Sequence, residues 1–310
     1  MRLLVADAAH GAYAELLTAA AADLQLCVSS DPAELAAWAA SCPLWLGPPD
    51  LLVGLLRQGF KPDWLQSTWA GITPLLAADL PRDYRLSRAS GIFGPLMAEY
   101  LLTYVLAHER QLLARLASQA ERHWDERLTG SLQGRRMLLV GAGDIASAVA
   151  QVFSALGVQV FGVASQARQQ APFAQVVGLS QLAEQAAHAD YLVNLLPDTP
   201  ATTNLFDARL LAQLKPSALF INAGRGAAVV DADLIAALEA GQLAGAVLDV
   251  CREEPLPPSH PFWSTPRLLL TGHSAAPTLP APMVQLFLRN LQAYRAGQPL
   301  QGEVTFSRGY

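Results

Sequence analysis

Three short segments of this chain carry side chains able to move a proton and to grip an oxyanion. They are Ile221–Gly226 (INAGRG), Asp249–Pro257 (DVCREEPLP) and Thr271–Ala276 (TGHSAA). Each follows an apolar run of strand length, which puts it at the carboxyl edge of a sheet, where open α/β folds bind ligands. The planar guanidinium of Arg225 can grip a carboxylate or another oxyanion at two points. A histidine ordinarily exchanges protons near neutrality, so His273 can supply a proton to an alkoxide or take one from an alcohol. Glu254, on the segment before it, supplies a carboxylate of the kind that can orient such a ring. Taken singly, each residue has a plainer reading: Arg225 as a turn residue, Glu254 with Glu253 as a solvated pair, His273 as a satisfied loop histidine. Their order behind successive strands points instead to catalysis.

Upstream, Gly141-Ala142-Gly143-Asp144-Ile145-Ala146 stands between a strand (Met137–Val140) and a helix (Ile145–Leu156). This is the GxGxxA dinucleotide fingerprint in its required setting. Gly141 permits the tight turn, Gly143 lets the backbone approach a pyrophosphate, and the small Ala146 allows close helix–strand packing. The N–H groups at the helix start then face the phosphates. Asp144 places a carboxylate in the turn, at a position that can point outward. An NAD site usually has an acidic residue at the end of the next strand; in VQVFGVASQARQQ none is present. Ser165, Gln166 and Arg168 stand there, with Arg168 supplying charge for a 2′-phosphate. This favours NADP(H), with NAD(H) as the second choice; the plainer reading of Arg168 is a solvated helix residue.

The elements that must position these groups alternate as β and α. Strands are expected at Arg2–Ala6, Leu24–Val28, Leu44–Leu46 and Trp64–Thr68, the last two separated by turn-rich sequence. Helices are expected at Tyr13–Ala22 and after Asp31-Pro32, an N-cap followed by proline at N1. A segment from Pro95 to about Glu126 has apolar Leu101, Val105, Leu112 and Leu116 at helical intervals, so it reads as one or two long helices with His108 and His123 on a solvated face. Strands then recur at Val158–Val163, Tyr191–Leu195, Leu219–Asn222, Ala246–Val250 and Leu268–Leu270, with helices at Ser180–Ala187, Asp207–Gln213 and Asp231–Ala240. Pro277 and Pro280 break the chain before a last helix, Met283–Arg295, expected to return to the first sheet. The fold class is α/β with two doubly wound domains. A Rossmann dinucleotide-binding domain, 94–277, is inserted in a flavodoxin-like substrate domain, 1–93 and 278–310.

The 310 residues suit two domains, and 52% hydrophobic residues with 15% charged supply ample core. A net charge of −5 argues against a nucleic-acid partner. Cys27, Cys42 and Cys251 show no CxxC spacing, so a reducing, cytoplasmic setting is expected. The N-terminal apolar run stops at Asp7, and no stretch is long enough to span a membrane. The other histidines, His10, His108, His123, His188 and His260, lack ligand spacing, so no metal site is expected.

With WLQSTWAGI, MAEYLL, VGAGDIA, LLPDTPATTNLF, NAGRG, DVCREEPLPPSHPFW and GHSAA in order, the chain resembles the D-isomer-specific 2-hydroxyacid dehydrogenases, above all their short glyoxylate/hydroxypyruvate reductase branch. The resemblance covers about Trp64 to Pro277 and implies that Arg225, Glu254 and His273 are catalytic. It implies cofactor contacts at Leu196, Pro197, Thr202, Ala223, Gly224, Arg225, Asp249, His273 and Ala275, besides Gly141 to Ile145. For the substrate it implies backbone N–H groups of the loop Trp69-Ala70-Gly71-Ile72, with Arg225 and His273. Trp45 and Trp69 could line the pocket; both also read as ordinary core tryptophans. The helical segment resembles the family's dimerisation region, which implies a homodimer with Trp124 as an anchor. One departure is Gly272, where the family commonly has proline before the histidine. Cys251-Arg252 sits where relatives vary.

The activity implied is NADPH-preferring reduction of small 2-oxo acids, glyoxylate and hydroxypyruvate first. Two alternatives stand beside it. One is an NAD-linked dehydrogenase for a larger D-2-hydroxy acid of the lactate or phosphoglycerate type. The other is a nucleotide-sensing, corepressor-like binding protein.

Overall fold

The alternation of apolar runs and helical stretches becomes two parallel sheets in the computed structural model, which describes residues 1–306. Met1–Ile92, with the chain from Thr278 onward, forms one unit, and Phe93–Pro277 the other.

The first unit contains β1 (Arg2–Ala6), α1 (His10–Ala20), β2 (Gln25–Ser29), α2 (Pro32–Ala39), β3 (Leu44–Gly47), α3 (Pro49–Arg57), β4 (Trp64–Ser67) and β5 (Arg85–Ser87). Its strand order β2-β1-β3-β4-β5 is the flavodoxin-like order. The start of α2 follows from residue type: the Asp31 carboxylate accepts from the Ala33 and Glu34 N–H groups, and Pro32 needs no acceptor at N1. The same proline logic starts α3 at Pro49, inside a stretch whose prolines read as turn-rich.

The second unit contains α4 (Gly94–Glu109), α5 (Leu112–Ala120), β6 (Arg136–Val140), α6 (Asp144–Ala155), β7 (Gln159–Ala164), β8 (Gln175–Gly178), α7 (Leu182–Ala186), β9 (Tyr191–Asn194), α8 (Ala208–Leu211), β10 (Leu219–Asn222), α9 (Asp231–Glu239), β11 (Gly245–Leu248) and β12 (Leu268–Leu270). Its sheet runs β12-β11-β10-β9-β6-β7-β8, all parallel, with the order reversing between β6 and β9. That reversal is where doubly wound sheets open a ligand crevice. The last helix, α10 (Pro280–Arg295), belongs to the first unit. It returns to the first sheet, where the Trp64 ring stacks with Phe287 at 5.2 Å and with Tyr294 at 5.3 Å. Pro280, expected to break the chain, is instead the first residue of this helix.

Register decides which residues meet at the carboxyl edge of the second sheet. Val140 is level with Val163 and Asn194, Asn194 with Asn222, Asn222 with Leu248, and Leu248 with Leu270. The residues that follow, Gly141, Leu195, Ala223, Asp249 and Thr271, therefore share one rim.

The long helical segment is two helices, one of the two readings its sequence allowed, divided at Gln111, whose φ of 54° is left-handed. Leu101 and Val105 are core, whereas Leu112, Leu113 and Leu116 beyond the break are 48%, 62% and 53% exposed. His108 is not on a solvated face: it is half-buried beside Glu109, and burial pushes its pKa below the ordinary histidine value. Among the described residues no helix is long and apolar enough to cross a membrane.

Candidate active site

The glycine turn is shaped as the fingerprint demands. Gly141 has φ of 108°, and a Cβ there would come within 3.1 Å of the Leu195 carbonyl group. A Cβ on Gly143, by contrast, would meet nothing within 4 Å, so the turn presents open backbone where a pyrophosphate would lie. Ala146 is buried against the sheet, and Asp144 and Ile145 begin α6, with the Asp144 side chain exposed. These features fit a dinucleotide.

Arg168 follows the next strand and returns to this turn. Its Nη2 donates to the Ala142 carbonyl at 2.8 Å and its Nε to Gln170 Oε1 at 2.6 Å. Gln170 donates to Ser147 Oγ at 2.9 Å, which ties the group to the first turn of α6. Ser165 and Gln166 are exposed beside it. Arg168 is thus a fixed cation at the turn, not a free surface arginine.

Arg225 is held by a pair of buried asparagines at the ends of β9 and β10. Asn194 Nδ2 donates to Asn222 Oδ1 at 2.8 Å, and Asn194 Oδ1 accepts from the Leu196 N–H. Asn222 Oδ1 also accepts from the Gly224 N–H, and its Nδ2 donates to the Arg225 carbonyl at 3.2 Å. The pair was not singled out from sequence, although an asparagine closing each of two apolar runs, YLVN and LFIN, was a usable signal. Gly224 must be glycine here, since a Cβ would lie 2.8 Å from the Leu196 carbonyl oxygen. Ala223 precedes it on the same rim. Burial lowers the pKa of Arg225, opposed by Glu254 and Asp198, yet a guanidinium stays charged in proteins. Its Nη1 donates to the Gly224 carbonyl at 2.6 Å.

His273 Nδ1 lies 2.7 Å from Glu254 Oε2. With the carboxylate as acceptor, Nδ1 carries the proton toward Glu254 and Nε2 faces away. The other Glu254 oxygen accepts from the Cys251 N–H at 2.8 Å, which fixes the carboxylate. The backbone at His273 is left-handed, with φ of 56°, after Gly272 at 73°. Proline, locked near about −65°, is excluded at that Gly272 geometry, so this turn requires the glycine. A non-glycine residue in this region costs about 1–2 kcal/mol, and Asp249 offsets it. The buried Asp249 carboxylate accepts from Thr271 Oγ1 at 2.6 Å, the Ser274 N–H at 2.8 Å and the Ala275 N–H at 3.1 Å. Its carbonyl accepts from the His273 N–H at 2.5 Å. A pocket of about 610 Å³ adjoins His273 and Glu254, walled by Leu256, Trp263 and Leu270.

Other expected residues sit differently. Trp45, expected to line the substrate pocket, is fully buried, with its indole N–H on the Cys42 carbonyl at 2.9 Å; it is core. Thr202 is buried, and its hydroxyl closes the loop that begins at Leu196 and Pro197 by donating to the Pro197 carbonyl at 2.8 Å. Arg252 clamps Asn204 at 2.7 Å and the carbonyls of Ala227 and Val229. Burial, reinforced by Glu254, Asp231 and Asp249, pushes the Cys251 thiol up to about 11. In the first unit Trp69 is 42% exposed, and its neighbours Ala70 and Gly71 have N–H groups with no acceptor among the described residues.

A dinucleotide turn on one side of the strand reversal, with an arginine and a glutamate–histidine pair on the rim, defines a nicotinamide-dependent dehydrogenase. Residues 102–275 match the model for "D-isomer specific 2-hydroxyacid dehydrogenase, NAD binding domain". The chain is 38% identical over 214 residues to glyoxylate/hydroxypyruvate reductase A of Serratia proteamaculans, covering 69% of this chain and 68% of that protein. It superposes with a TM-score of 0.93 and 37% identity on a D-isomer specific 2-hydroxyacid dehydrogenase family protein from Aeromonas salmonicida, over 98% of this chain and 99% of that one. An NADPH-dependent glyoxylate/hydroxypyruvate reductase from Sinorhizobium meliloti, solved with NADP and sulfate, gives a TM-score of 0.85 at 27% identity, over 100% of this chain and 99% of that one. The protein belongs to the D-isomer specific 2-hydroxyacid dehydrogenase family and is an NAD(P)-dependent enzyme of that family.

Proposed function

We propose that this enzyme is an NADPH-preferring reductase of small 2-oxo acids, glyoxylate and hydroxypyruvate first. The observation that carries the reading is the 2.7 Å contact between His273 Nδ1 and Glu254, on the same rim as Arg225 and the glycine turn. The names of the Serratia and Sinorhizobium relatives support the substrate class, and the NADP bound to the latter supports the cofactor.

Gly141 to Ile145 would hold the pyrophosphate, and Ser165, Gln166 and Arg168 the 2′-phosphate. Leu196, Pro197, Thr202, Ala223, Gly224, Asp249 and Ala275 would border the remainder. When bound, the reduced nicotinamide supplies a hydride to the carbonyl carbon. Arg225 holds the substrate carboxylate and polarises the carbonyl, so the alkoxide forms beside a fixed positive charge. His273 Nε2 gives its proton to that oxygen, while Glu254 keeps the ring oriented and balances the imidazolium charge. In the reverse direction the same nitrogen accepts the proton.

The exposed Leu112, Leu113 and Leu116 on α5, with Trp124 at 84% exposure, are proposed to be covered by a second copy, giving a homodimer. With all three cysteines unpaired, the cytoplasm is the proposed location.

The test is initial-rate loss of reduced nicotinamide with glyoxylate, using NADPH and NADH separately, for wild type, His273→Ala and Arg225→Ala. NADPH is expected to be consumed faster, His273→Ala to lose at least about a hundredfold in kcat, and Arg225→Ala to weaken substrate use more than cofactor binding. Full turnover by His273→Ala would remove this mechanism.

A further inference from the structure

We propose that Tyr100, on α4, is a positioning residue for His273, acting through Thr271 and Asp249; this rests on the function proposed above. The Tyr100 hydroxyl lies 3.0 Å from Thr271 Oγ1, and Thr271 Oγ1 lies 2.6 Å from Asp249 Oδ1. The direction of this chain follows from donor and acceptor capacity. An ionised carboxylate only accepts, so the single Thr271 hydroxyl proton goes to Asp249. The Tyr100 O–H must then donate to Thr271. Burial pushes the Tyr100 phenol above its ordinary value, which keeps that proton in place through the physiological range.

The chain ends on the group that shapes the histidine turn. Asp249 Oδ1 also receives the Ser274 and Ala275 N–H groups, and the Asp249 carbonyl receives the His273 N–H. Ser274 Oγ in turn donates to the Thr271 carbonyl at 2.8 Å. The left-handed pair Gly272-His273 is therefore enclosed by bonds that converge on Asp249 and Thr271. Tyr100 links that cluster to a helix: it is buried, its ring packs on Tyr104 at 4.7 Å, and α4 packs against α6. The hydroxyl thus fixes the Thr271 rotamer, Thr271 and the backbone fix Asp249, and Asp249 sets where the His273 ring meets Glu254. The Tyr100 hydroxyl bonds to Thr271 and not to the proton-transferring nitrogen of His273.

The experiment compares Tyr100→Phe, Thr271→Val and Thr271→Ser with wild type in the glyoxylate–NADPH assay, alongside amide hydrogen exchange over residues 271–276. One neutral hydrogen bond corresponds to about a two- to tenfold change. Tyr100→Phe is expected to lower kcat within that range, with a smaller change in KM for NADPH, which Asp249 and Ala275 border, and faster exchange at Ser274 and Ala275. Thr271→Val, which removes both bonds, is expected to fall further, and Thr271→Ser to return near wild type. A structural role alone would lower the melting temperature without this split between kcat and KM or the serine rescue. Wild-type kcat and unchanged loop exchange in Tyr100→Phe would overturn the proposal. If wild type turns over no 2-oxo acid, the proposed function fails, and the exchange data still decide whether Tyr100 orders the loop.

Discussion

Replacing Arg168 by alanine is expected to separate the two cofactors, and the hydrogen bonds its guanidinium already makes set the expected size of the effect. The guanidinium has five N–H donors. One Nη2 proton is used on Ala142 and the Nε proton on Gln170, so the two Nη1 protons and the second Nη2 proton stay available at the glycine turn. A 2′-phosphate there would take charge-assisted bonds, each about 1.5–3 kcal/mol when shielded. Arg168 is exposed, so the benefit is discounted to about 1–2 kcal/mol in all. That is roughly a five- to thirtyfold loss of NADPH affinity. The bond to Ala142 supports the turn for either cofactor, and its loss is expected to weaken NADH by about two- to fivefold. Titration of the variant by reduced-nicotinamide fluorescence, with kcat/KM for each cofactor, measures both numbers. The wild-type preference is also expected to shrink as salt rises from about 0.05 to 0.5 M, because an exposed ion pair is screened. Equal losses for NADPH and NADH, or a salt-independent preference, would refute the phosphate-reading role and leave Arg168 as a strut of the turn.

The remaining predictions concern the rim, the thiol and the apolar face. Gly226→Ala would place a Cβ 1.9 Å from the Cys251 carbonyl carbon, forcing apart the segments that carry Arg225 and Glu254. A shift of about 1 Å at reacting groups costs about a hundredfold, so kcat/KM is expected to fall at least that far; normal kinetics in a folded variant would contradict the geometry. With its pKa pushed up to about 11, the Cys251 thiol holds few thiolates at neutral pH, and alkylation by iodoacetamide should rise about tenfold per pH unit between about 7 and 9.5. A plateau near pH 8.5, read by mass spectrometry of the Cys251 peptide, would show an ordinary thiol. Leu113→Glu with Leu116→Glu should convert the protein to monomer in sedimentation velocity, and a dimer that survives would place the interface elsewhere.

Much of this architecture was legible locally. Asp31-Pro32 starts a helix because a carboxylate accepts the free N–H groups and proline does without one. The turn at Gly141 announces itself in the GxGxxA spacing between a strand and a helix, and the structure gives the reason for its glycine: a φ of 108° with the Leu195 backbone 3.1 Å from where a side chain would begin. Apolar runs of four or five residues marked most strands, and Arg225, Glu254 and His273 stood in order along the chain behind successive strands. Expectations failed where a local signal was ambiguous or absent. Pro48-Pro49 read as turn but starts α3; β5 and β8 are only three and four residues long; and the break at Gln111 carries neither glycine nor proline. Trp45 could be core or pocket on composition alone, and burial settled it as core.

Sequence by itself therefore determined most of the elements, the glycine turn and the types of the candidate reacting groups, because backbone preference and burial periodicity act over a few residues. Tertiary structure decided who meets whom. Strand register brought Glu254 to His273, the Asn194–Asn222 pair under Arg225, Arg168 back to Ala142, and Tyr100 to Thr271 across 171 positions of chain. Such contacts are set by sheet order and packing between distant segments, which no local preference encodes.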